Sequence, residues 1–146
     1  MANDSPARDH SRNERLILSL IRRHGPLART ALAQRTGLSA QAITNLTRKL
    51  ISEGFLDPGK VVRGKVGQPS TPLALAPDGA WFLGLKLGRR LIELALVDFT
   101  GAVRMHRQEV CPFAHPDRVI SFARQGIDTL TASLHAGSQG RITGLG

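Results

Sequence analysis

The sequence predicts an α+β chain built in two parts. Two patterns carry that prediction and a third divides the chain. Apolar residues recur at helical spacing in three successive stretches before Gly54. The period then shortens to that of strands, in brief β-prone runs parted by Gly- and Pro-containing turns. Charge divides the chain: residues 1–70 hold twelve Lys/Arg against five Asp/Glu, and residues 71–146 hold eight against six. A basic first half joined to a nearly neutral second half points to a polyanion-binding module attached to something else.

Residues 1–11 read as a flexible arm. The first helix is expected from about Arg12 to Arg23, with Ser11 as N-cap and Glu14 completing a capping box. Its expected apolar stripe is Leu16, Ile17, Leu20 and Ile21, and Gly25-Pro26 stops it. The second helix runs from about Arg29 to Arg35 with Leu32 and Ala33 inward. Ala28 is a weak N-cap, and Gly37 fits a left-handed residue closing the helix. Ser39 caps the third helix, in which Ile43, Leu46 and Leu50 recur at three- and four-residue steps. A hairpin follows, with strands at Val61-Val62 and Leu73-Ala74-Leu75 and a basic tip carrying Arg63 and Lys65. The first domain is thus 12–76, and 77–79 form a linker.

The second domain, 80–146, reads as three strands, "WFLGLKLG", "LIELALVDF" and "VRMHRQEV", in an antiparallel meander. A helix begins at Pro116 and runs to about His135, with Val119, Ile120, Ala123, Ile127, Leu130 and Leu134 inward. "RITGLG" begins one more strand.

Composition narrows the function classes. A chain of 146 residues, 41% hydrophobic and 21% charged, fits a soluble globular protein. No apolar run approaches the roughly 20 residues of a membrane span, and the N-terminus lacks the apolar segment of a secretory signal. A reducing cytoplasm is the default for a chain whose one cysteine, Cys111, cannot build a disulfide framework. Pro112 and Pro116 bracket Cys111 and His115, so these two do not form a helical metal pair, and no CxxC or HxxxH occurs. No catalytic, metal or cofactor site is expected.

Two helices joined by a tight Gly turn, the second Ser-capped and followed by a hairpin, make a winged helix-turn-helix. Gln41, Thr44, Asn45 and Arg48 share the face of the third helix opposite Ile43, Leu46 and Leu50. A helix of this kind fits the DNA major groove, where Gln41 and Asn45 can read adenine, Arg48 guanine or a phosphate, and Thr44 a thymine methyl or a phosphate. Arg22, Arg23, Arg29, Ser39 and Lys49 are candidates for the DNA backbone, which sets affinity and register rather than sequence choice. Two other readings stay open: a solvated polar face on an ordinary three-helix bundle, and a winged helix used for protein contacts.

The stretches "GPLARTALAQRTGLSAQAITNLTRKLISEGFL", "GQPSTPLAL" and "FLGLKLGRRLIELALVDFTG" together resemble the ROK family of repressors and sugar kinases, in particular its regulator branch. The resemblance covers residues 14 to 146. It implies a bacterial transcriptional regulator, usually a repressor of carbohydrate genes. Such a regulator joins a winged helix-turn-helix to an effector lobe of actin/hexokinase-like (ribonuclease H-like) fold, here present in part. It also implies a double-stranded DNA operator, a homodimer, and a sugar or sugar-phosphate effector in a full-length form only. Two departures stand out. The family's Gly-Arg-Pro wing segment is here Gly67-Gln68-Pro69, so Gln68 takes the place of an arginine suited to the minor groove. The phosphate loop of family kinases is here Lys86-Leu87-Gly88-Arg89-Arg90, with a single glycine and Lys86 in the acidic position. This argues against ATP chemistry, although a sugar-kinase fragment is the remaining enzymatic alternative.

Overall fold

A computed structural model of the chain describes residues 11–60, 70–113 and 115–146. They form two compact units, residues 1–79 and 80–146. The first contains helices α1 (Arg12–His24), α2 (Arg29–Thr36) and α3 (Ala40–Ser52) and strands β1 (Leu56–Pro58) and β2 (Leu73–Leu75). The second contains β3 (Trp81–Leu87), β4 (Leu91–Asp98), β5 (Val103–Val110), α4 (Pro116–Ala132), α5 (Ala136–Gln139) and β6 (Ile142–Leu145).

Capping begins the first unit as its residues dictate. The Ser11 hydroxyl accepts from the Glu14 N–H at 3.3 Å, and the Glu14 carboxylate accepts from the Ser11 N–H at 3.0 Å. Gly37 ends α2 at φ 71°, in the left-handed region where a side chain is strained. Ser39 then caps α3, its hydroxyl accepting from the Ala42 N–H at 3.2 Å. The three helices share one core of Ile17, Ile21, Leu32, Ile43 and Leu50, joined by Leu56 and Leu73 from the sheet. Leu16 does not join it and is 40% exposed. A helix that points Ile17 and Ile21 inward turns Leu16 away, since successive residues lie about 100° apart. Leu18 and Leu20 flank the core instead.

Strands β1 and β2 pair antiparallel, Leu56 opposite Leu75 and Pro58 opposite Leu73. The first strand therefore starts earlier than the β-prone Val61-Val62, which lies outside the described residues. A third segment adds to this small sheet: Leu27, leaving the Gly25-Pro26 turn, exchanges two backbone hydrogen bonds with Leu73, at 3.0 and 2.8 Å. The β-prone run at Leu27 is a single residue, too short for a periodicity argument.

The second unit is a four-stranded sheet in the order β5-β4-β3-β6. The expected meander forms β3-β4-β5, and the chain crosses over through α4 so that β6 lies parallel to β3. Trp81, Leu83, Ile92, Leu94 and Leu96 face Phe122 and Leu130 of α4 in its core. The inward stripe of α4 is centred on Phe122, Gly126 and Leu130, which leaves Ile120 at its margin and half exposed. Gly126 sits where a Cβ would approach Leu94 Cδ2 to 2.5 Å, so the helix can lie this close to β4 because the residue is Gly. Cys111 is buried, and its thiol donates to the Phe113 carbonyl oxygen at 2.8 Å.

The β4-to-β5 turn is organised by a fully buried carboxylate, Asp98. Its Oδ1 accepts from the Thr100 and Ala102 N–H groups at 2.8 and 3.0 Å and from the Thr100 hydroxyl at 2.6 Å, and its Oδ2 pairs with Arg104. Burial alone pushes an acid's pKa up; here these donors outweigh it and hold Asp98 below its ordinary value. Replacing Asp98 by Ala should destabilise the second unit by roughly 2–3 kcal/mol, through donors left without an acceptor. Trp81 is the chain's single Trp and there is no Tyr. Urea unfolding followed by its fluorescence therefore reads this unit alone. The Asp98 contribution is present above the ordinary carboxyl pKa near about 3.9 and fades as pH falls through its lowered value. The gap between wild type and the Ala variant should accordingly close in acid.

Candidate nucleic-acid interface

The outer face of α3 is built from the residues the core leaves over. Ile43, Thr47 and Leu50 are buried. On the opposite side Gln41, Asn45 and Arg48 are exposed and Thr44 is half-buried. Gln41 Nε2 donates to Asn45 Oδ1 at 3.1 Å. That bond aligns the two amides one turn apart and leaves Gln41 Oε1 as an acceptor and Asn45 Nδ2 as a donor, the pair of functions an adenine edge presents in complement. The Thr44 hydroxyl donates to the Ala40 carbonyl at 2.8 Å, so what Thr44 offers outward is a methyl group and an acceptor oxygen. Among the described residues Arg48 has no ion-pair partner, and its guanidinium is available to a base or a phosphate.

The candidates for backbone contact differ in how they are held. Arg22 and Arg23 are exposed in the last turn of α1. Arg29 opens α2 and donates from Nε to Thr47 Oγ1 at 3.0 Å. Thr47 itself is buried and donates to the Ile43 carbonyl at 2.8 Å. One hydroxyl thus ties the start of α2 to the middle of α3, a role the sequence pattern does not reveal because Thr47 reads as one more residue beside the stripe. Ser39 serves as the α3 cap. Lys49 Nζ reaches back to Glu14 Oε1 at 2.7 Å, and this hydrogen bond, against a smaller cost of burial, raises the pKa of Lys49 above its ordinary value. Its ammonium is therefore already matched to a buried carboxylate. The wing candidates Arg63, Lys65 and Gln68 lie outside the described residues.

In the second unit Lys86 Nζ pairs with Glu93 Oε2 at 2.8 Å across β3 and β4, and His106 Nε2 lies 3.4 Å from Glu93 Oε1. The hydrogen bond from Lys86 is the main reason the Glu93 pKa is lowered. These groups line an open depression of about 300 Å³ on the sheet. In the neighbouring turn the Gly88 N–H donates to the Leu91 carbonyl oxygen at 2.7 Å, so it closes the turn rather than pointing at a phosphate. Among the described residues no group of three or more His, Cys, Asp or Glu is placed to hold a metal ion, and no helix is long and apolar enough to cross a membrane.

Lys49 joins α3 to the buried acid of α1. Lys49→Met should therefore lower the thermal midpoint of the first unit, followed by far-UV circular dichroism. It should also change the salt dependence of DNA binding less than Arg48→Ala does. Equal loss of stability in Arg48→Ala would contradict this division of roles.

A family model described as winged helix-turn-helix DNA-binding matches residues 10–57, which span α1 to α3 and the start of β1. An uncharacterised protein of Sinorhizobium fredii is 27% identical over 124 residues, 85% of this chain and 32% of that protein. A putative xylose repressor of Caldicellulosiruptor is 30% identical over 65% of this chain and 24% of its own length. The Escherichia coli dual regulator NagC is 24% identical over 62% of this chain and 22% of its length. The chain thus spans a third or less of the length of these relatives. The crystal structure of a ROK family transcriptional regulator, a homologue of the E. coli MLC protein, superposes with a TM-score of 0.63 at 25% identity, over 91% of this chain and 34% of that one. Residues 10–57 thus match a winged helix-turn-helix DNA-binding domain, and the chain is similar to repressors and to a ROK family transcriptional regulator over most of its length.

Proposed function

We propose that this chain is the DNA-reading end of a transcriptional repressor of carbohydrate genes. The observation that carries the proposal is the outer face of α3: Gln41 and Asn45 joined into one hydrogen-bonding unit beside Arg48, which has no ion-pair partner among the described residues, on a helix held by its other face to the core. In this reading Gln41, Thr44, Asn45 and Arg48 read bases. Arg22, Arg23, Arg29 and the Ser39 cap position the phosphates, with Arg63, Lys65 and Gln68 of the wing beside them, and Lys49, tied to Glu14, adds a smaller share. Relatives named a putative xylose repressor, an N-acetylglucosamine repressor and a DNA-binding transcriptional dual regulator support a sugar-responsive role. A homodimer on a two-fold operator would present two α3 helices to successive major-groove half-sites. A sugar or sugar phosphate would be sensed in a longer form of the protein. The chain acts by binding rather than catalysis, a reading supported by the engaged Gly88 amide and the Lys86–Glu93 pair at the place of the kinase phosphate loop. It works in the cytoplasm, at the nucleoid.

Selection of bound duplexes from a random library should yield an enriched motif. Arg48→Ala and Asn45→Ala should each weaken the selected site by roughly 1–3 kcal/mol and relax preference at one base position. Affinity should fall steeply with salt, because phosphate contacts release counterions. Selection without enrichment, or a motif unchanged by both substitutions, would refute base reading; capture of a protein partner with no duplex bound at low salt would favour the protein-contact winged helix.

A further inference from the structure

Two arginines stand beside the outer face of α3 and are held differently. Arg48 is exposed and has no ion-pair partner among the described residues. Arg29 is half-buried, and its Nε donates to Thr47 Oγ1 at 3.0 Å. Thr47 is fully buried, and its own proton is committed to the Ile43 carbonyl oxygen at 2.8 Å, with the Thr44 carbonyl oxygen 3.3 Å away. Its hydroxyl oxygen is therefore left as an acceptor, and the donor that fills it is Arg29. A guanidinium bound through Nε keeps its two terminal nitrogens in one plane, a fork that matches two oxygens of a phosphate. Among the described residues neither terminal nitrogen of Arg29 has a hydrogen-bond or ion-pair partner.

The bond itself fixes where this fork stands relative to α3. Successive residues of a helix lie about 100° apart, which puts Thr47 about 60° from Thr44 and about 100° from Arg48. Thr47 thus marks the edge where the buried face of α3 meets the face that carries Gln41, Thr44, Asn45 and Arg48. A helix about 10–12 Å across fills a major groove about 12 Å wide, so the flanks of a helix seated there stand against the phosphate walls of the groove. We infer that Thr47 is a positioning residue for DNA binding: its buried hydroxyl holds the Arg29 guanidinium at the flank of α3, ready to clamp one backbone phosphate of the duplex whose bases α3 reads. A fork already ordered gives up little freedom when the phosphate arrives, and a clamp anchored on α3 fixes how that helix sits in the groove. The inference rests on base reading by α3 and adds to it a residue that touches no DNA.

The test is a double-mutant cycle on the whole chain, titrating a labelled duplex of the selected motif and one of unrelated sequence across a salt series. Thr47→Val keeps the buried shape and removes the acceptor. It should keep the circular dichroism of wild type, leave the selected motif unchanged and weaken both duplexes by the same factor, roughly three- to tenfold for one lost hydrogen bond. Arg29→Met should weaken both at least as much and reduce the log–log salt slope by about 0.9, the share of one phosphate. Combined with Arg29→Met, Thr47→Val should change binding by less than about twofold more, because it acts through Arg29. Thr47→Ser keeps the hydroxyl and should restore wild-type affinity. Arg29→Lys probes the pair without touching the core: the charge stays, the fork goes, and affinity should fall by a factor like that of Thr47→Val. Binding undiminished by Thr47→Val or by Arg29→Lys overturns the inference. An equal loss from Thr47→Val with and without Arg29→Met also overturns it, since Thr47 would then act through the fold alone, as does an altered motif, which would trace the effect to the base-reading residues. Failure of base reading looks different: wild type itself then binds the motif duplex no more tightly than unrelated sequence.

Discussion

The first unit is organised around one buried carboxylate. Glu14 is 2% exposed, and an acid taken from water is tolerated only where donors surround it. Ser11 supplies one through its backbone and Lys49 another through its side chain, from the last turn of α3. The same residue thereby starts α1 and fixes the C-terminal end of α3 against it. Thr47 performs the complementary task nearer the middle of α3, accepting from Arg29 at the head of α2. Between these two polar ties lies the apolar seam of Ile17, Leu32, Ile43 and Leu50. The seam supplies most of the free energy through burial, but it is non-directional; the polar ties set the rotation and tilt at which α3 stands.

Much of this architecture was legible because local rules agree with one another. Ser11 with Glu14, Gly25-Pro26, Gly37, Ser39 and Pro116 are all positional signals with a stereochemical cause, and each of the helices α1 to α4 begins or ends where one of them stands. What escaped the sequence has a physical reason in each case. Leu16 and Ile120 carry the right apolarity but sit one residue from the inward direction, and periodicity alone does not fix the phase of a helix within 100°. Gly126 reads as a helix-weakening residue until Leu94 is placed against it. The pairing of Leu27 with Leu73 joins residues far apart in the chain, and no local pattern encodes such a partner.

The site was legible in a different sense. The exposed set on α3 follows from subtraction: once Ile43, Thr47 and Leu50 face inward, Gln41, Asn45 and Arg48 must face out. Its chemistry required the coordinates. The Gln41–Asn45 hydrogen bond, the inward-turned hydroxyl of Thr44 and the engagement of Lys49 with Glu14 divide eight nominal DNA contacts along the first three helices and the Ser39 cap into groups that present hydrogen-bonding edges, groups that present charge and groups that hold the scaffold. In the second unit the same kind of division separates the Asp98 cluster, which builds a turn, from the Lys86–Glu93–His106 row, which neutralises itself across three strands.

The two faces of α3 are also free to vary separately. Residues that hold the helix in place, Ile43, Thr47 and Leu50, share no position with those presented outward. Exchanging Gln41, Asn45 or Arg48 for other polar residues removes no core contact and strands no buried donor, so such changes are nearly neutral for folding. The outward chemistry of α3 can therefore change one residue at a time, with every intermediate still folded. Copies of the gene could acquire new surface chemistry on this helix after duplication without first acquiring extra stability.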